Sequence, residues 1–255
     1  MIKNLLLFIC IFLFSNSLYA RKVGETEILT DEGIEVYQEE KYYILKKNVI
    51  ITSDDFILLG DFVKVDFEKD LYDVTNIFSE GNSSLKSEVN NIKATGPNIN
   101  IIVKNEQIEV IGKKSEFKLG EIFMKSNGKI MVNNLTGKFS IIGENSNMIT
   151  ESIYIEGQKI DGFFSTNSEE KEIIKLNVYD DNISFVQNED TDMYAKKIIY
   201  DKKTSIIEMF DDVKVVRGKE IVTGDYGTLD TSDNSYKVKS NNTKKVKVII
   251  SNENE

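Results

Sequence analysis

Three aspartate doublets, Asp54-Asp55, Asp180-Asp181 and Asp211-Asp212, are the residues of this chain best suited to chemistry. Two carboxylates can divide general-acid and general-base work across a glycosidic bond, or hold an oxygen-seeking cation such as calcium. An exported carbohydrate-active β-protein using Asp180 or Asp211 is therefore one reading. Other routes to catalysis lack a component. The sequence has no histidine and one cysteine, Cys10. A serine or cysteine nucleophile would have no imidazole base, and a zinc site would lack its usual ligands. No metal site and no cofactor is expected. Each doublet also sits beside turn-forming residues, where Asp bonds its own backbone. Asp61 and Asp225 each follow a glycine and read as turn residues at strand ends. Their recurrence argues for backbone duty, because one active site does not occur twice at equivalent strand junctions.

The recurrence belongs to a longer repeat. Residues 48–74 and residues 212–238 align without a gap, 164 positions apart. Seven positions are identical: Val49/Val213, Ile57/Ile221, Gly60/Gly224, Asp61/Asp225, Asp66/Asp230, Tyr72/Tyr236 and Val74/Val238. Ile51/Val215, Leu58/Val222, Phe62/Tyr226 and Val65/Leu229 keep their chemistry. A duplicated unit that cannot bury its own apolar face predicts stacking of like units into one continuous sheet structure.

The ends and the charge narrow the function further. Residues 1–20 have a positive start at Lys3, an apolar run over 5–14 and a small, polar exit. This is the layout of a secretory signal peptide, with cleavage after Ser17 or Ala20, and the run is short for a membrane span. Without it the chain carries 31 basic and 42 acidic residues and no cysteine. Such an exported chain must be stabilised by a packed core. It is also a poor ligand for nucleic-acid phosphates, so no nucleic acid is expected as a partner.

Period-2 alternation dominates after residue 20, and no stretch sustains an apolar helical period. In the second copy Val213 and Val215 share one face, opposed by Lys214 and Val216. In the first, Val63, Val65 and Phe67 oppose Lys64, Asp66 and Glu68. One face buried and one wet is the antiparallel signature. Residues 53–55, 68–70, 217–219 and 231–234 are predicted turns. Ile99/Ile101/Val103, Ile108/Val110, Ile130/Val132, Phe139/Ile141, Ile153/Ile155 and Ile183/Phe185 continue the style through the middle. Residues 161–171 read as a surface loop. The expected fold is all-β: one elongated, open antiparallel β-jelly roll over residues 21–255, with pseudo-repeats at about 35–118 and 194–250. Alternation does not separate a filled core from an apolar groove, and on pattern alone the filled core is the favoured reading.

Residues 194–250 add a resemblance. Ala195, Ile198 and Tyr200 match an A-x-x-I-x-Y opening, and Phe210-Asp211-Asp212-Val213 a hydrophobic strand with G-N/D-V. Val222-Thr223-Gly224-Asp225 matches I-x-G-D, and residues 246–250 a closing V-x-V-I strand. The stretch ILKKNVIITSDDFILLGDFVKVD of the first copy shows the same order. This pattern resembles the LptA/OstA-like periplasmic lipopolysaccharide-transport proteins. The resemblance implies a curved, open OstA-like jelly roll whose groove holds acyl chains, in a periplasmic, non-enzymatic bridge between the inner and outer membranes. Lipopolysaccharide and other jelly-roll Lpt proteins of LptC and LptD type would be its partners, with head-to-tail self-association. A membrane-anchored LptC-type role, keeping residues 5–14 as an anchor, is the alternative within the pathway.

The residues expected to line the groove are Val49, Ile51, Ile57, Val65, Val213, Val215, Ile221 and Leu229. Val246, Val248 and Ile250 form an apolar row near the C-terminus, opposed by Lys245 and Lys247. An unpaired edge there invites a further strand. This row is expected to be the assembly edge, together with a strand near residues 28–37.

Overall fold

The computed structural model describes residues 21–167, 170–240 and 245–251. The expected signal peptide, residues 1–20, lies outside them. Among the described residues no helix is long and apolar enough to cross a membrane.

Two short strands begin the chain, β1 (Glu27–Leu29) and β2 (Ile34–Tyr37). Four long ones follow: β3 (Tyr42–Thr52), β4 (Ile57–Phe67), β5 (Val74–Ser87) and β6 (Ile92–Ile102). The middle is built from short strands: β7 (Gln107–Ile111), β8 (Ser115–Leu119), β9 (Ile122–Ser126), β10 (Lys129–Asn133), β11 (Lys138–Ile142), β12 (Asn147–Ile149), β13 (Ile153–Glu156) and β14 (Lys159–Phe164). Long strands return with β15 (Ile173–Asn188), β16 (Thr191–Asp201), β17 (Ile206–Arg217) and β18 (Glu220–Asp230). The short β19 (Tyr236–Lys239) and β20 (Lys247–Ile250) close the sequence.

Every pairing is antiparallel, and the pairings define two tracks. The first runs from β2 through one half of each long strand and through β7, β10, β11 and β14 to β19. The second runs from β1 through the other halves and through β8, β9, β12 and β13 to β20. We call these half-sheets I and II. Each long strand crosses between them once, and each short pair crosses by a loop. The described residues form a ladder of fourteen rungs, each bent at its middle. The two ends do not pair with one another, so the sheet is open, as expected for the jelly roll.

The bends form a continuous spine. At β3, β5 and β17 the pairing register shifts across two left-handed residues, Lys47-Asn48, Gly81-Asn82 and Asp211-Asp212. The intervening rungs turn at a residue with no or little side chain: Gly60, Gly96, Gly128, Gly157, Ala195 and Gly224. At Gly128 a Cβ would lie 2.3 Å from the carbonyl oxygen of Ile142, so the neighbouring rung admits only glycine. A bend breaks the ladder, and a buried carbonyl without a donor is costly. Buried serines supply the donors. Ser126 Oγ donates to Ile142 O at 2.8 Å, Ser146 Oγ to Gly143 O at 2.8 Å, and Ser79 Oγ to Leu59 O at 3.2 Å. Among the described residues no buried side-chain nitrogen or oxygen lacks a partner.

The aspartates expected at strand ends occupy this spine instead. Asp61, Asp180-Asp181, Asp211-Asp212 and Asp225 lie inside β4, β15, β17 and β18, at bends, and only Asp54-Asp55 sits in a hairpin turn. A bend inside a strand uses the same residue types as a turn, which is why alternation alone does not separate them. Residues 161–164, expected in a loop, belong to β14, so the loop starts at Ser165. Ile183 and Phe185 face outward, with Ser184 and Val186 inward between them. Val103, expected beside Ile101, leaves the strand in a short 3-10 turn.

Candidate functional site

The inner faces of the two half-sheets meet along the length of the molecule in one apolar cluster. Val49, Ile51, Val65, Val213, Val215 and Leu229 all belong to it, exposed by 3% or less. The bends turn the first and second halves of each strand toward the same interior, so one alternating pattern delivers all six. Ile57 and Ile221 do not join them. They stand opposite Thr52 and Val216 on the outer face of half-sheet II, one position out of phase with buried Leu58 and Val222. The phase is set at the hairpin turns before them, where Phe56 N–H and Ser53 Oγ close the loop at 3.1 Å in the first copy.

Opposite the spine the two half-sheets end in rows of hairpin turns, like lips. Near the middle of the molecule the lips separate. A cavity of about 430 Å³ opens there between Asn91, Glu121, Thr150 and Ser152 of one lip and Glu172 and Lys202 of the other. Half-sheet II is short at this point, where β12 has three residues and β13 four. Thr150, Ile153, Ile173 and Tyr200 line the cavity and also a narrow slot behind it. The slot is walled by Ile155, Val186, Leu176, Ile198 and Ile207, with side chains from both half-sheets. The route from solvent inward therefore begins polar and becomes mainly aliphatic within one side-chain layer, with Tyr200 and Thr150 at the transition.

The rim carries both signs of charge. Lys202 pairs with Glu172 on it, and Lys171 Nζ lies 5.8 Å from the Phe164 ring centre. Burial, followed by a bond to Glu220, pushes Tyr236 up to about 12, and burial with a bond to Glu156 does the same for Tyr154. The acidic doublets serve the backbone and its surface. Asp180 accepts from the Asn182 N–H at 2.8 Å, Asp181 from the Tyr179 hydroxyl at 2.6 Å, and Asp212 pairs with Lys196 at 3.3 Å. Asp180 and Asp211 stand on strands separated by β16.

Comparison with known families decides what such an interior belongs to. Residues 135–235 match the family model described as LptA/(LptD N-terminal domain) LPS transport protein. This segment is similar to the LptA/LptD N-terminal family. The mouth from Thr150 onward, the apolar slot and the second repeat copy up to β18 all fall within it. The first copy falls outside it, although it carries the same motif order. The family is one of transport proteins and not a known enzyme family. Among solved structures, LptH, the LptA-homologous periplasmic component of the lipopolysaccharide transport device of Pseudomonas aeruginosa, matches over 89% of this chain and 96% of its own. The identity is 9% and the TM-score 0.23, so the fold rests on the strand pairings described above. Among curated proteins no sequence matches.

The resemblance carried by residues 194–250 thus lies largely within the matched segment, and the match extends it back through the middle of the chain. The mouth has no counterpart among the sequence expectations. Thr150, Ile173 and Glu172 lie at strand ends and loops, where period-2 reasoning is silent. The available signal is the short spacing between turns around residues 143–157, which shortens the lip.

Proposed function

We propose that the chain carries lipopolysaccharide in the periplasm, with acyl chains held between the inner faces of the folded sheet. The observation that carries this reading is the mouth, a polar rim opening onto an aliphatic slot inside the family-matched segment. Val49, Ile51, Val65, Val213, Val215 and Leu229 line the proposed path. Ile57 and Ile221, on the outer face, do not belong to it. Each buried acyl methylene contributes about 0.8 kcal/mol, so a saturated chain of about a dozen carbons supplies ample drive to separate the two aliphatic faces. The net charge of −10 leaves acyl burial, rather than a grip on phosphates, as the main attraction.

The ends fit the role. Inward-facing Ile34 and Val36 on β2, and Val246, Val248 and Ile250 at β20, are exposed because no rung among the described residues covers them. The inward apolar rows thus reach both ends of the described sheet, and among the described residues β20 pairs on one side only, with β18. We propose that these edges join copies of the chain head to tail, or join it to LptC-type and LptD-type jelly-roll partners, to make one continuous path.

Photo-crosslinking amino acids at Ile51 and Val215 are expected to capture lipopolysaccharide, and the same probes at Lys64 and Lys214, on the outer face, are not. Equal capture on both faces would overturn the proposal.

A further inference from the structure

The two ends of the ladder carry opposite charge. Residues 23–40, which form the first rung and its loops, contain seven carboxylates (Glu25, Glu27, Asp31, Glu32, Glu35, Glu39 and Glu40) and no basic residue. The segment 236–250, which includes β19 and β20 of the last rung, contains five lysines and no carboxylate in sequence. In a chain with 32 basic and 42 acidic residues overall, the two edge segments carry opposite sign, with Glu35 also paired to Lys46 of β3 at 2.6 Å.

The charges sit where a neighbouring strand would meet them. Glu27 and Glu35 lie opposite Thr52 and Ile44, alternating with inward Ile28 and Val36, and so project outward at the edge. Lys237 and Lys247 lie opposite Thr228 and Thr223 and project from the same outer face at the other end. Direction matches as well. Successive rungs alternate between running from half-sheet I to II and from II to I. With fourteen rungs, the first runs II to I and the last I to II. A second copy added by simple translation therefore continues the antiparallel ladder, β19 beside β2 and β20 beside β1. Edge strands of four residues meet in half-sheet I, and of four and three in half-sheet II.

We infer that complementary charge at the two edges makes the join directional: the lysine edge of one copy takes the glutamate edge of the next, and like ends reject each other. The inference rests on the head-to-tail association proposed above. Opposite charges on facing strands stabilise the pairing, and like charges directly opposite destabilise it. The interaction also weakens as salt shortens the Debye length.

Sedimentation of the full chain and of reversed variants tests this. Glu27→Lys/Glu35→Lys alone, and Lys237→Glu/Lys247→Glu alone, are each expected to weaken self-association about tenfold, since several cross-strand pairs change sign together. Mixing the two variants in equal amounts restores assembly, because each then offers the other an oppositely charged edge, and this restoration also shows that both are folded. A wild type that associates while reversals and mixing change nothing overturns the charge inference and leaves head-to-tail association standing. A wild type that stays monomeric at high concentration overturns both, and the edge charges are then gatekeepers against pairing.

Discussion

The two repeat copies occupy equivalent places in the ladder yet carry different loads. Val49 and Val213 are both inward, as are Ile51 and Val215, Leu58 and Val222, and Val65 and Leu229. Gly60 and Gly224 are both at the spine, and the aspartate after each accepts a bond from the next rung: Asp61 from Asn82 at 3.1 Å, Asp225 from Ser240 at 3.0 Å. The correspondence stops at the following hairpin. Val65 pairs with Ile77, whereas Leu229 pairs with Tyr236, so the identities Tyr72/Tyr236 and Val74/Val238 do not occupy equivalent sites. Tyr72 is 93% exposed in a turn, while Tyr236 begins a strand on the inner face, 5.2 Å from the Arg217 guanidinium. The first copy is flanked by full-length strands on its C-terminal side. The second has only the short last rung beyond it. A rung's pattern is thus fixed by its bend and its alternation, and its stability by what lies beside it.

Substitutions at matched positions sharpen that contrast. Leu58→Ala removes a fully buried side chain between complete strands and is expected to cost about 3 kcal/mol, while Val222→Ala, nearer the open end, costs about 1 kcal/mol. Equal losses in chemical denaturation would break the distinction. At the spine, a Cβ at Gly224 would meet the Lys239 carbonyl oxygen at 2.4 Å, whereas one at Gly60 first meets the Ser79 hydroxyl. Backbone yields less readily than a serine, so Gly224→Ala is expected to cost about 3 kcal/mol and Gly60→Ala about 1 kcal/mol. Adding Ser79→Ala should relieve Gly60→Ala and leave Gly224→Ala unchanged.

The smallest effect concerns the mismatched tyrosines. Tyr236 titrates at about 12 in the folded chain against an ordinary value of 10.0. The folded state therefore holds this proton more tightly. The stability tied to it is complete below pH 10 and is lost as pH rises toward 12. Tyr236→Phe should make the alkaline fall in melting temperature shallower between pH 10 and 12, and Tyr72→Phe should leave it as it is.

These pairs also show how much of the molecule is legible in the sequence. Alternation places Val49, Ile51, Val65, Val213, Val215 and Leu229 inward because side-chain direction in a strand has a strict period of two. The same rule misplaces Ile57, Ile221, Ile183 and Phe185, since a turn or bend of unknown geometry resets the phase. Gly60-Asp61 and Gly224-Asp225 are recognisable as breaks in a ladder, but a bend within a strand and a turn between strands draw on the same residues. The buried serines Ser79, Ser126 and Ser146 give no signal as polar residues at inward positions. Their function is to satisfy carbonyls that only the folded register leaves open. The apolar row at Val246, Val248 and Ile250 is legible because the same period of two sets Lys245 and Lys247 on the opposite face.

In the proposed function, lipid reaches the interior between the separated lips. Cysteines replacing Ser152 and Lys171, on opposite lips of the mouth, can be joined by a cleavable bifunctional thiol reagent, the only native cysteine being Cys10. Uptake of lipopolysaccharide, read by quenching of a fluorescent acyl label, should be lost when the lips are joined and return when the linker is cleaved. Uptake that proceeds unchanged through joined lips would contradict the account.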